Sequence, residues 1–497
     1  MQIPARWNGD PECGPSVAHP YQTHYCSYIR VPRLLTLQQP AGDRPDEILA
    51  LLALQAFELW FKVLLADLPT ALALLRSPAG VDQIAKLLNR CAGLLGLLDD
   101  QAEVAEAILI RSHGLRLPLA SGREPLSDQL YALKGLAEQA ARELAQEVPK
   151  DSRVERAWHD VLARFERWSP RFVGLLAALF ERQRSGAQDY REFLRLEALL
   201  DLQTGAKADW TPARRRPQAL TPTEDLTPDE LLFIIVHQVF ELWFRAQLHE
   251  LDAAMASLLA RPPDVLAATD RLRNVVRIQR LLVEMIHIPS SLRPLGFLQF
   301  RSQFKTIQGV VHERGLSPAS GTESYQFREL EIIGGLKHSV AYQEFLQGNR
   351  RMHIRFLTPT QAKRLQQPGL PEAFQQALEA RGITDLLDIF TPPGDPNPHS
   401  DLAELADVLL EFDQFFQLWR MNHLTMVQSM IGRKSGTGFL GPEYLKETVG
   451  MGIQGEDDRL LPTPQLRPRF FEHLWEVRTR MEAGGHEPDG QGPRSVP

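Results

Sequence analysis

Cysteine is scarce in this chain: Cys13, Cys26 and Cys91 are the only three in 497 residues, and they form no Cys-x-x-Cys pair. An odd, unpatterned set excludes a disulfide framework and a zinc site, and it points to a reducing compartment, the cytoplasm. Excess positive charge is also missing. Lys plus Arg number 55 against 62 Asp plus Glu, a net charge of −7. One short run, Arg214-Arg215-Arg216 ahead of Pro217, does not make a basic stripe, so no nucleic-acid partner is expected. Uncharged apolar runs are lacking too. Ile48 to Leu75 is broken by Glu58, Lys62 and Asp67, and Leu231 to Phe244 by His237 and Glu241. A spanning helix needs about 20 nearly uncharged residues, so no membrane crossing is expected. The N-terminus carries no charged-then-apolar signal pattern. No stretch alternates apolar and polar residues with period two, which leaves little room for β-structure.

What the chain does have is helical periodicity from about residue 45 onward. Apolar residues make up 43%, enough for a large core, and an all-α fold follows. Breaks rich in Pro, Gly and polar residues fall near 114–126, 204–227, 358–371 and 391–400. The last fourteen residues, 484–497, read as a disordered tail. An internal repeat is the most informative feature. Pro45 to Leu68 and Pro228 to Leu251 agree at twelve of 24 positions at a constant offset of 183. The shared residues include Gln, Glu and Trp in order, which helix composition alone does not produce. Tyr25/Tyr28/Ile29 recur as Tyr190/Phe193/Leu194, and Leu119-Ala-Ser-Gly122 recurs as Pro318-Ala-Ser-Gly321. We therefore expect two divergent copies of one helical unit, 1–187 and 188–483, followed by the tail.

The copies differ where chemistry could reside. His237 aligns with Leu54, and His423, through a shared Ser-Gly downstream, with Val173. Phe233, His237, Phe240, Phe244 and Leu251 form one helical stripe; Leu409, Phe412, Phe416, Trp419, His423, Met426 and Met430 form another. Either histidine alone reads as a core residue hydrogen-bonded to a backbone carbonyl. The pair, absent from the sister copy, points to a buried cofactor, and neutral imidazole among Phe, Trp and Met suits haem. No Cys-x-x-Cys-His occurs, so covalent haem attachment is excluded. Past His423, the glycines around Gly436 and Thr437 read as a helix cap or as a mobile lid with one polar contact. Arg301, in Gly296-Phe-Leu-Gln-Phe-Arg301, is either a surface residue or a bidentate carboxylate partner.

Several strings share an order with a known family: Leu231-Leu-Phe-Ile-Ile-Val-His-Gln238 with Glu241-Leu-Trp-Phe, Arg277-Ile-Gln-Arg280, Phe300-Arg301, Pro318-Ala-Ser-Gly321, Tyr325-Gln-Phe-Arg328, His423-Leu-Thr-Met-Val and Gly436-Thr-Gly438. Over about 188–455 the chain resembles tryptophan 2,3-dioxygenase. The resemblance implies an all-helical enzyme with haem b, ferrous when active, that adds O2 across the indole C2–C3 bond of L-tryptophan to give N-formylkynurenine. By motif position, His423 would be the proximal iron ligand, with Trp419, Gly436 and Ser320 around the haem. His237 would face the indole N–H as the catalytic histidine. Phe233 and Phe297 would line the substrate pocket, Arg301 would clamp the carboxylate, and Thr437 would meet the amino-acid end of the substrate. The family's N-terminal Tyr-x-x-Tyr-Leu segment reaches a neighbouring subunit's site. If the duplication reproduces that dimer within one chain, Tyr25 and Tyr28 would cover the second copy's pocket, and residues 190–194 the empty one near Leu54.

The chain departs from the family pattern in places. Phe297 stands where the family has tyrosine, about twelve extra residues precede Pro318, Gly-Phe-Gln-Ser has become Gly321-Thr-Glu-Ser324, and Ser429 replaces an arginine. These departures leave room for a substituted tryptophan as substrate, for a different oxidation of an indole amino acid, or for a haem or indole sensor without turnover. One haem per chain and a homodimer, a pseudo-tetramer of four units, are expected, with a monomer as the second choice.

Overall fold

The computed structural model describes residues 25–40, 42, 44–75, 80–120, 127–147, 152–183, 188–204, 226–307, 324–338, 359–390, 396–432 and 469–481. Ser320, Gly436, Thr437 and the tail at 484–497 lie outside them, as does the side chain of Arg301.

The fold is all-α. In chain order the helices are α1 (Tyr25–Ile29), α2 (Val31–Leu35), α3 (Glu47–Leu75), α4 (Val81–Ala105), α5 (Asp128–Glu147), α6 (Ser152–Leu179), α7 (Tyr190–Leu194), α8 (Leu196–Leu200), α9 (Pro228–Leu258), α10 (Val265–Met285), α11 (Pro294–Ile307), α12 (Tyr325–Gly334), α13 (Pro359–Gln366), α14 (Leu370–Ala380), α15 (Ser400–Ile431) and α16 (Glu472–Arg480). A π-helical turn, Glu106–Ser112, extends α4. Two four-residue strands, Leu117–Ala120 and Phe180–Gln183, pair in parallel with Leu117 opposite Phe180. The sequence shows no period-two run here, because four residues are too few for an alternation to register.

α3 and α9, the two helices of the repeat, pack against each other at the centre. α3 carries α4 and α5 on its side, with α6 beyond α4, while α9 carries α10 and α12, with α15 beyond α10. A helix surrounded by others is apolar nearly all round, and this explains their composition. It also corrects the expectation that no segment qualifies as a membrane span. By length and mean hydropathy, 1.9 for the first and 1.3 for the second, α3 and α9 both do. Their apolar windows are 89% and 83% buried inside the protein. The few charges do not disqualify them; burial accounts for their apolar surface.

Local signals set the ends. Thr227 caps α9, its hydroxyl accepting from the Glu230 N–H at 3.2 Å, with Pro228 at the first helical position. Ser324 caps α12 through the Phe327 N–H at 3.2 Å. The α1–α2 and α7–α8 pairs are each kinked by an arginine in the left-handed region, Arg30 at φ 60° and Arg195 at φ 51°. A side chain there costs on the order of 1 kcal/mol, so surrounding contacts hold both kinks. Beside the main core, a smaller apolar cluster joins Tyr25, Tyr28, Ile29 and Val31 to Ile234, Phe297, Phe300, Tyr325 and Ile431.

Candidate active site

That smaller cluster borders His237. The His237 ring lies 4.3 Å, centroid to centroid, from Phe233, and Phe233 packs 5.7 Å from Phe297 and 5.3 Å from Phe300. Tyr25 meets the His237 ring edge-on at 5.8 Å, and Tyr28 lies 6.2 Å from Phe233. His237 Nδ1 sits 2.7 Å from the Phe233 carbonyl, where only a protonated Nδ1 can donate. That fixes the tautomer and leaves Nε2 a free lone pair. The ordinary reading of a core histidine, bonded to a backbone carbonyl, and a functional one therefore hold together here. Burial pushes its pKa down to about 4, so the ring is neutral at ordinary pH.

His423 stacks on Trp419 at 5.1 Å in the last third of α15. Burial, with a smaller contribution from His237, pushes it down to about 4 as well. Phe240, three residues after His237 on α9, meets Trp419 of α15, so the two histidines flank one aromatic contact between these helices. Among the described residues no hydrogen bond engages the His423 ring. A neutral, unengaged imidazole beside Trp419, with Phe240 6.0 Å from that indole and Met426 and Met430 farther along the helix, is a donor set that fits haem iron. No group of three or more His, Cys, Asp or Glu side chains among the described residues could hold a bare metal ion.

The tyrosine segment is tied down by hydrogen bonds that the sequence reading did not anticipate. Tyr25 donates to Glu241 Oε1 at 2.8 Å and Tyr28 to Glu230 Oε1 at 3.2 Å. Gln238 Nε2 donates to the Ile29 carbonyl at 2.9 Å and accepts from Gln203 at 2.7 Å. The same connections recur across the α3–α9 contact. Tyr190 donates to Glu58 Oε1 at 3.0 Å; Gln55 donates to the Leu194 carbonyl at 3.0 Å and accepts from Gln38 at 2.6 Å. Gln326 reaches Glu241, and Gln129 reaches Glu58, each through both carboxylate and backbone oxygen. Each tyrosine segment thus bonds to the central helix of the other half. A signal was available: Gln55/Gln238 and Glu58/Glu241 are polar residues kept inside an otherwise apolar repeat.

The halves differ at the histidines. Leu54 is fully buried where His237 stands. The ring contacts correct the second alignment. Trp168 stacks on Phe172 at 21° and touches Phe61, as Trp419 stacks on His423 at 21° and touches Phe244. By these contacts Phe172, not Val173, takes beside Trp168 the place that His423 takes beside Trp419, four residues on along the helix in each case. Phe172 packs 4.6 Å from Phe57 and is fully buried, so aromatic rings fill this half.

Arg301 belongs to α11, one turn after Phe297 and directly after Phe300, whose rings border Phe233.

A sequence model of tryptophan 2,3-dioxygenase matches residues 177–381 and 386–454, more than half of the chain. The chain belongs to the tryptophan 2,3-dioxygenase family. It is 34% identical over 294 residues to the tryptophan 2,3-dioxygenase of a Nocardioides species, covering 56% of this chain and 96% of that protein. It is 30% identical over 322 residues to that of Herpetosiphon aurantiacus, covering 60% and 100%, and 30% over 273 residues to that of Bacillus anthracis, covering 51% and 85%. Membership makes the chain an oxidoreductase of a haem-dependent dioxygenase family whose substrates are tryptophan and O2. Both histidines, Phe233, Phe297 and Arg301 fall inside the matched residues, and Tyr25 and Tyr28 lie before them.

Proposed function

We propose that the chain is a haem b enzyme that inserts both atoms of O2 across the indole C2–C3 bond of L-tryptophan, giving N-formylkynurenine. The observation that carries this reading is a neutral histidine on each of α9 and α15, flanking the Phe240–Trp419 contact, His237 with Nε2 left as an acceptor and His423 engaged by no hydrogen bond among the described residues. His423 would hold the iron, and the haem would supply the redox chemistry that lets O2 react with an indole. His237, its Nδ1–H committed to the Phe233 carbonyl, would accept the indole N–H at Nε2 and hold the ring in one orientation. Tyr25, Tyr28, Phe233 and Phe297 would wall the indole from water. By motif position Arg301 would pair with the substrate carboxylate, Thr437 would contact its amino-acid end, and Ser320, Trp419 and Gly436 would border the haem. A clamp at one end and a hydrogen bond at the other fix one pose, which is how positioning accelerates a reaction.

The repeated sequence and the matched hydrogen bonds on the two sides support an in-chain pseudo-dimer, with 1–187 as a haem-free copy and 188–483 as the catalytic one. The first copy lends Tyr25 and Tyr28, and a homodimer of chains would assemble four units. Cysteine usage favours the cytoplasm. The test is a Soret band at one haem per chain, with formylkynurenine absorbance growing on addition of tryptophan and O2. Arg301→Ala should weaken tryptophan binding by about 2–5 kcal/mol, the cost of removing one partner of a buried charge pair. Two haems per chain, or a haem protein inert toward tryptophan, would refute it.

A further inference from the structure

Glu241 lies one turn after His237 on α9 and is fully buried. Its carboxylate ties two elements, α1 and α12, to α9 beside the site. Tyr25 of α1 donates to Oε1 at 2.8 Å and Gln326 of α12 to Oε2 at 2.7 Å; Ser324, the α12 cap, bonds to it as well. Gln326 also reaches the Glu241 carbonyl at 2.8 Å. Tyr25 is only 2% exposed, and its ring is the one set edge-on against His237. The carboxylate thus anchors both the Tyr25 hydroxyl and the start of α12.

We propose that Glu241 is a positioning residue for tryptophan: it holds Tyr25 against His237 so that the indole meets a preformed wall and a fixed acceptor. The proposal rests on the haem dioxygenase reading above. The molecule contains its own control. Glu58 accepts from Tyr190 at 3.0 Å, from Ser127 at 2.8 Å and from Gln129 at 2.8 Å, the same three kinds of donor, but beside Leu54 rather than a histidine. Whatever such a buried carboxylate does for folding, Glu58 does too. Only Glu241 bears on the pocket.

The experiment is a pair of double-mutant cycles in the full-length holoenzyme, Y25F with E241Q and Y190F with E58Q. Three quantities are measured: kcat and KM for L-tryptophan, its Kd from the perturbation of the haem band, and the melting temperature. Y25F keeps the ring and removes only the hydroxyl, so it folds if any variant does. Y25F and E241Q should each raise Kd and KM about ten-fold, the loss of one hydrogen bond that sets a geometry. The double variant should lose clearly less than the two losses combined, because both variants act on the Tyr25–Glu241 contact. Y190F and E58Q should lower the melting temperature comparably yet leave Kd and KM within about two-fold. Additive effects of Y25F and E241Q, or equal shifts in Kd from both cycles, would overturn the assignment while leaving the dioxygenase reading intact. If the unaltered chain neither binds haem nor turns over tryptophan, that reading falls and this one with it.

Discussion

Replacing Arg90 by alanine would cut the buried ionic joint between α4 and α9. The guanidinium grips Asp67 through Nε and Nη2, at 2.7 and 2.6 Å, and reaches Asp229 through Nη1 at 2.9 Å. All three side chains are almost completely buried. Asp229 would keep a second partner, Arg293 at 2.7 Å, but Asp67 would be left buried without its bonded cation, with only the more distant Arg293 charge acting on it. Breaking one side of such a pair costs about 3–5 kcal/mol. A cleft of about 920 Å³ that Arg90 lines would admit water toward Asp67, which favours the lower end. Unfolding entropy of about 2 cal/mol/K per residue, over 497 residues, converts this to a fall in Tm of about 3–5 °C for one cooperative transition. Burial already raises the pKa of Asp67 with Arg90 present, so without it the carboxyl should protonate more readily. The loss should therefore be smaller at pH 5 than at pH 8. Calorimetric melting at both values is the assay, and an apolar exchange, Asp67→Leu with Arg90→Met, should recover most of the loss. An Arg90→Ala protein melting with the parent at both pH values would refute the joint.

His423→Ala should abolish haem binding or change the axial-ligand spectrum, whereas Phe172→Ala and Val173→Ala should leave the spectrum unaltered; haem titration decides it. His237→Ala should retain haem but lower kcat/KM about 5–150-fold, the cost of leaving a buried N–H unsatisfied. Because burial holds His237 near 4, its titration should contribute no inflection to the pH profile of kcat/KM between pH 5 and 8. Burial pushes the Glu58 carboxyl up to about 7 from an ordinary 4.5, so the folded state binds the extra proton and stability should fall by about 3 kcal/mol as pH rises through that window. Glu58→Gln should flatten this dependence in urea unfolding at pH 5 and pH 8.5.

The sequence by itself determined the features that depend on nearest neighbours along the chain. Helix period, cap residues such as Thr227 and Ser324, and the 183-residue repeat are local regularities, and the repeat marked α3 and α9 as related helices, whose packing at the centre the structure supplied. The two histidines were legible for the same reason, as interruptions of otherwise apolar stripes. What only the tertiary structure decided are contacts between segments far apart in sequence. Tyr25 bonds to Glu241 and Tyr190 to Glu58, 216 and 132 residues apart, so each tyrosine segment lies on the opposite half. The family resemblance led us to expect that crossing, but the residues alone do not dictate it, because a tyrosine carries no mark of which of two similar helices it will meet. Ring contacts likewise gave Phe172 the place of His423, against the alignment taken from a shared Ser-Gly. The parallel pairing of residues 117–120 with 180–183 depends on where α5 and α6 bring the chain, and four residues hold no pattern that could announce it. The buried carboxylates were visible in the repeat as letters, but the hydrogen-bond partners of each come from two separate elements that only packing brings together.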